Sequence, residues 1–183
     1  MAVLAEAGAD LVRNLLSEAI AAGKDFEAAL RKFTGEGDDE DVQAAFASQA
    51  EQIRLQRERL TDRLQKLGEG RAEPERITRS FETSAQMLES GHIPEERTLE
   101  HLVSAFGMEA GECAFYEALA ATAAVAADAQ TEALARQIER EKQLAAKKLF
   151  SFIRSRSKIA FNMLTPNELD PAVETKAFDN RVV

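Results

Sequence analysis

Every stretch of this chain that carries a hydrophobic pattern repeats it at the three-and-four-residue spacing of a helix, near 3.6 residues per turn. The prolines, at 74, 94, 166 and 171, all stand outside the long periodic stretches. An all-α chain follows. A first helix is predicted over about 9–33, on Leu11, Leu15, Ala19, Ala22, Phe26, Leu30 and Phe33, and Thr34-Gly35-Glu36-Gly37 breaks it. A second starts near Asp38 to Asp41, whose carboxylates suit the positive end of a helix dipole. It carries Val42, Phe46, Ile53, Leu60, Leu64 and Leu67, and stops at Gly68-Glu69-Gly70. The third begins after Pro94 and runs to about Ala127, with Leu99, Leu102, Phe106, Cys113, Tyr116 and Ala120 on its stripe. The fourth starts at Asp128, carries Leu134, Ile138, Leu149 and Phe152, and fades into the basic run Arg154 to Lys158. Between the second and third lies a longer connection, in which Pro74 opens a short helix through Leu88. Such a crossover joins helices that must lie parallel. The expected organisation is a four-helix bundle over 1–157 and an irregular C-terminal tail over 158–183, whose Phe161, Met163, Leu164 and Phe178 are candidates to dock on the bundle.

A length of 183 residues suits one domain plus a tail. The balance of 23 Lys+Arg against 32 Asp+Glu gives a net charge of −9, which repels phosphate backbones and anionic lipid headgroups. The longest apolar run, Ala118 to Ala127, is about half of what a bilayer span needs and is mostly Ala. The start, Met1 to Glu6, lacks the basic and apolar regions of a secretory signal, and a lone cysteine, Cys113, builds no disulfide framework. The expectation is a cytoplasmic homodimer that binds neither nucleic acid nor membrane.

The chemistry lies where polar groups interrupt the apolar stripes. Following the third helix through 99, 102, 106, 109, 113, 116 and 120 places Glu109 inward, with Glu112 close to the same face. The fourth, followed through 134, 138, 141, 145, 149 and 152, places Glu141 inward, while the second places Gln49 and Gln56 inward. A charge isolated in a dry core costs several kcal/mol, so buried acids take up protons, find partners or bind a cation. The alternative puts the acids at the edge of the stripe, paired with Arg140, Lys142 or Lys147, while the glutamines fix register across the bundle. Cys113 reads as a small buried hydrophobe and Tyr116 as core, and His92 and His101 fall away from the central level.

Three pieces carry a family resemblance: Ala44-Ala45-Phe46 with Glu51, Gln56 and Arg59-Leu60; Glu109-Ala110-Gly111-Glu112 with Tyr116; and Glu139-Arg140-Glu141-Lys142. Over Leu11 to Ile153 the chain resembles the YciF-type ferritin-like proteins, a bacterial stress-associated family. The resemblance implies a ferritin-like antiparallel four-helix bundle with a long crossover between its second and third helices and carboxylates meeting at mid-height, where Glu and Glu-x-x-His motifs hold a di-iron site. This chain departs from that pattern. Gly23 stands where the first helix would supply an acid, Gln49 and Gln52 where the second would supply His and Glu, Ala110 in place of a His, and Ala145 in place of an Asp. Glu109, Glu112 and Glu141 remain, with Glu51 a weaker candidate.

The resulting expectation is a ferritin-like stress or accessory protein with a partly lost di-metal site, binding at most one cation, iron or manganese, weakly through Glu109, Glu112 and Glu141. A metal-dependent oxidase or ferroxidase with unusual ligands and Tyr116 near the metal is the enzymatic alternative, and the missing imidazoles weigh against it. A purely structural or interaction bundle is the third.

Overall fold

The computed structural model describes residues 2–68 and 93–164. They form four helices: α1 (Ala2–Glu36), α2 (Glu40–Leu67), α3 (Pro94–Val125) and α4 (Ala129–Leu164). No strand occurs among the described residues. The connection 69–92, with the short helix expected from Pro74 to Leu88 and with His92, lies outside the described residues, as does the tail from 165.

The caps explain most helix ends. Asp39 accepts a hydrogen bond from the Val42 amide at 3.1 Å, and Glu40 and Asp41 follow in the first turn of α2. Gly68 closes α2 at φ 80°, in the left-handed region that a side chain disfavours. Pro94 occupies the first turn of α3, where its missing N–H costs nothing. Asp128 accepts from the Thr131 amide at 3.0 Å and so caps α4. Three ends differ from the sequence expectation. α1 starts at Ala2 rather than near Ala9, and continues through Gly35 to Glu36, the chain turning only at Gly37. α4 runs past the expected fade at Lys158 to Leu164, because nothing before Pro166 removes a backbone donor.

Contacts at the two ends of the bundle set its topology. Phe33 at the end of α1 stacks on His101 near the start of α3, ring centroids 4.2 Å apart. Arg156 near the end of α4 donates to Asp39 at the start of α2, at 2.7 and 2.9 Å. At the other end Arg63 of α2 pairs with Asp128 at 2.5 Å. Hence α1 is antiparallel to α2 and α3, α4 is antiparallel to α3 and α2, and α2 lies parallel to α3. The connection after α2 therefore bridges opposite ends of the bundle, a span of about 40 Å at 1.5 Å per helical residue.

Two apolar halves fill the interior. One gathers Phe26, Leu30, Phe33, Val42, Phe46, Leu102 and Leu149, the other Val12, Leu16, Leu60, Tyr116, Leu119 and Ile138. Each fully buried aliphatic or aromatic side chain contributes about 1.5–3 kcal/mol. The stripe of α2 falls where the spacing puts it, but in α3 the inner row is turned by about one residue: Leu102, Glu109, Tyr116 and Ala120 are buried as expected, while Leu99, Phe106 and Cys113 are half-buried and Ala105, Met108 and Glu112 lie inside. In α1 the inner row uses Val12 and Leu16, and Leu11 is 49 % exposed. In α4 the buried row is Thr131, Ala135, Ile138, Lys142, Ala145 and Leu149, so Lys142 takes the inward position expected of Glu141.

Candidate functional site

Between the two apolar halves the bundle carries a polar level. α3 contributes Glu109 and Glu112, one turn apart and both buried, α2 contributes Gln49, and α4 contributes Lys142, which has no exposed surface. The Lys142 stem runs through the core and sets Nζ 5.0 Å from the centroid of the Phe26 ring, a cation–π contact from α1. Nζ lies 3.5 Å from Glu109 Oε2 and in closer contact with Glu112 Oε2. These contacts are ionic and lack aligned hydrogen-bond geometry. Gln49 Nε2 donates to Glu109 Oε1 at 2.5 Å.

Two carboxylates and one ammonium in a dry interior cannot all be charged without a net negative charge, and the cost falls on the more deeply buried acid. Burial pushes Glu109 up to about 8, against the pull of Lys142 and with a further push from Glu112. Burial also works against the Lys142 charge, but Glu112 and Glu109 outweigh it and hold the ammonium above its ordinary value. With Glu109 raised and the Lys142 ammonium held, the cluster is driven towards neutrality. Tyr116, 2 % exposed, has its phenol pushed well up by burial and by Glu112. Cys113 is half-buried rather than buried, and burial together with Glu109 raises its thiol, so it supplies no thiolate nucleophile.

Of the three acids expected together, the structure unites Glu109 and Glu112 and leaves Glu141 on the seam between α2 and α4. There Arg59 grips Glu141 with both terminal nitrogens, at 3.1 and 2.6 Å, while Gln56 donates at 2.9 Å and Gln137 at 3.0 Å. Partial burial favours the neutral acid, but Arg59, Gln56 and Gln137 outweigh it and hold Glu141 at about 2. Glu51 is further out, exposed and paired with Arg54. At Gly23, where the resemblance implies an acid, an added Cβ would meet Arg57 Cγ at 3.0 Å and Cδ at 3.1 Å. The missing side chain gives passage to the Arg57 stem, whose guanidinium pairs with Glu27 at 2.5 Å.

This donor set does not fit a di-metal centre. Two carboxylates face an ammonium, α2 offers an amide where an imidazole would bind, and among the described residues no three His, Cys, Asp or Glu are grouped to hold a metal ion. The functional residue that sequence reasoning treated only as a neighbour is Lys142. Its signal was present: 138, 142, 145 and 149 keep the helical spacing as well as 138, 141, 145 and 149.

No helix of the described residues is long and apolar enough to cross a membrane. No curated protein matches the chain. Solved structures do. A protein from Xanthomonas campestris pv. campestris superposes with a TM-score of 0.71 at 13% identity, covering 86% of this chain and 98% of that one. The Escherichia coli stress protein YciF gives 0.65 at 23% identity, over 86% and 97%. A two-domain protein from Anabaena variabilis, with DJ-1/ThiJ/PfpI-like and ferritin-like domains, gives 0.61 at 19% identity, over 80% of this chain and 37% of that one. At these identities the likeness is one of fold, and it makes the architecture that of a ferritin-like four-helix bundle. The family follows from the sequence itself: the model described as Domain of unknown function (DUF892) matches residues 9–160, and the chain belongs to that family.

Proposed function

We propose that this chain is a ferritin-like stress or accessory protein whose centre is neutralised by its own lysine, so that it acts as a structural bundle rather than a metal-dependent oxidase. The observation that carries this reading is Lys142, a fully buried ammonium set against Glu109 and Glu112. A cation arriving from solution has to displace that ammonium or take its proton, and the carboxylates strengthen its hold on the proton. The resemblance over Leu11 to Ile153 supports the stress or accessory role, as does the shared fold with an E. coli protein itself named a stress protein. A cytoplasmic setting belongs to the same proposal, on the acidic balance and the single cysteine.

The test is the metal content of protein prepared without chelator, followed by thermal melts with added Fe(II), Mn(II) or Zn(II). Metal far below one ion per chain and an unmoved Tm are expected. A stoichiometric metal that disappears in Glu109→Gln overturns the reading in favour of the oxidase.

A further inference from the structure

We infer that His101 is an acid-sensitive latch: a proton added to its ring releases the end of α1 from the start of α3 and opens that corner of the bundle. The chain leaves α1 there through Gly37, which packs on α3, since a Cβ at 37 would stand 3.7 Å from Thr98 Oγ1. Gln43 of α2 secures the turn by donating to the Gly37 carbonyl. One turn after Thr98, His101 is 7% exposed and lies flat on the Phe33 ring, which is tilted against Phe46 of α2 with centroids 5.8 Å apart. The imidazole is thus the part of α3 that holds the last turn of α1.

The ring is placed for its neutral form. Nε2 lies 3.4 Å from Glu36 Oε2, so the single N–H of a neutral imidazole belongs there, while Nδ1 is buried without a hydrogen-bond partner. A second proton goes to Nδ1 and creates a buried N–H with no acceptor, which costs free energy that an opened corner, with the ring in water, does not pay. The charged neighbours come from both helices. Burial, the largest influence, holds His101 below its ordinary 6.5. Lys32 of α1 and Arg97 of α3 act with burial, and Glu36 of α1 and Glu100 of α3 act against it. Opening returns the ring to that ordinary value. The closed corner is therefore fully favoured above 6.5 and loses ground as pH falls below it.

Hydrogen exchange of the full chain at about pH 7 and about pH 5.5, corrected for the intrinsic pH dependence of exchange, tests this. The amides of 33–37 should exchange about 3- to 8-fold faster at the lower pH, the upper figure being the limit for an imidazole that titrates only in the open form. His101→Phe keeps a stacked ring without a titrating group and should remove the acceleration. His92→Gln, which replaces the other histidine of the chain, should leave it in place. An unchanged helical circular dichroism spectrum verifies that each variant is folded, and an NMR titration of the native chain reads the same event without any substitution. It should place the His101 midpoint below 6.5. A native chain without the acceleration overturns the inference, as does an acceleration that persists in His101→Phe or vanishes in His92→Gln. So does a His101 midpoint at or above 6.5.

Discussion

Glu109 and Glu141 are the same residue type on helices that pack together, and the fold treats them oppositely. Glu109 has no exposed surface and faces an ammonium already engaged by Glu112, and burial lifts it to about 8. Glu141 keeps 23% of its side chain exposed and receives four hydrogen bonds from Arg59, Gln56 and Gln137, which hold it at about 2. A nearby cation does not by itself keep a carboxylate charged. What decides is whether that cation is shared and whether directed donors replace the lost water.

The largest test of this contrast is Lys142→Met, which leaves two buried acids with no cation. It should cost about 3–5 kcal/mol in urea unfolding at neutral pH, the range for breaking one side of a buried ion pair. Adding Glu109→Gln and Glu112→Gln should return most of that loss. A cost below about 1 kcal/mol for Lys142→Met alone would mean that the ammonium is not what neutralises the centre.

Glu109→Gln comes next, with the opposite sign. The folded chain keeps a proton at Glu109 that the unfolded chain releases, so this group weakens the fold as pH rises from about 4.5 to about 8. The variant should match the native protein in mild acid and gain on the order of 1–3 kcal/mol near pH 7–8. Melting temperatures across that range read the difference, and a variant less stable at pH 8 would show that Glu109 is charged and favourably paired.

Glu141→Gln should have the smallest effect. Its lowered value makes the carboxylate stabilising above about 4.5, with the contribution fading as pH falls towards 2. For a pair this exposed the expected loss at neutral pH is about 0.5–1 kcal/mol, vanishing near pH 2. An equal loss at both pH values would place the effect in packing rather than charge.

Much of the molecule was legible in the chain. Period, caps and breakers place the four helices, because local hydrogen bonding and the burial of one face depend on residues close together in sequence. Gln49, Gln56 and Glu109 lie inward as the spacing of α2 and α3 requires. The fourth helix was legible only in part. Its steps of three and four residues allow either Glu141 or Lys142 between Ile138 and Ala145, and the N-terminal half of α1 allows either Leu11 and Leu15 or Val12 and Leu16. Hydrophobicity cannot choose between an acid and a lysine that are both polar, nor between neighbouring apolar residues. That choice is made by the partner surfaces. Glu109 and Glu112 on α3 with the Phe26 ring on α1 make a place for an ammonium, while Arg59 and Gln56 on α2 make one for a carboxylate, a single step around the same helix. The sequence determined the four helices and most of their inner residues. Only the packed bundle, by bringing distant charges within ion-pair reach in a dry interior, decided which side chain of α4 would sit at the centre.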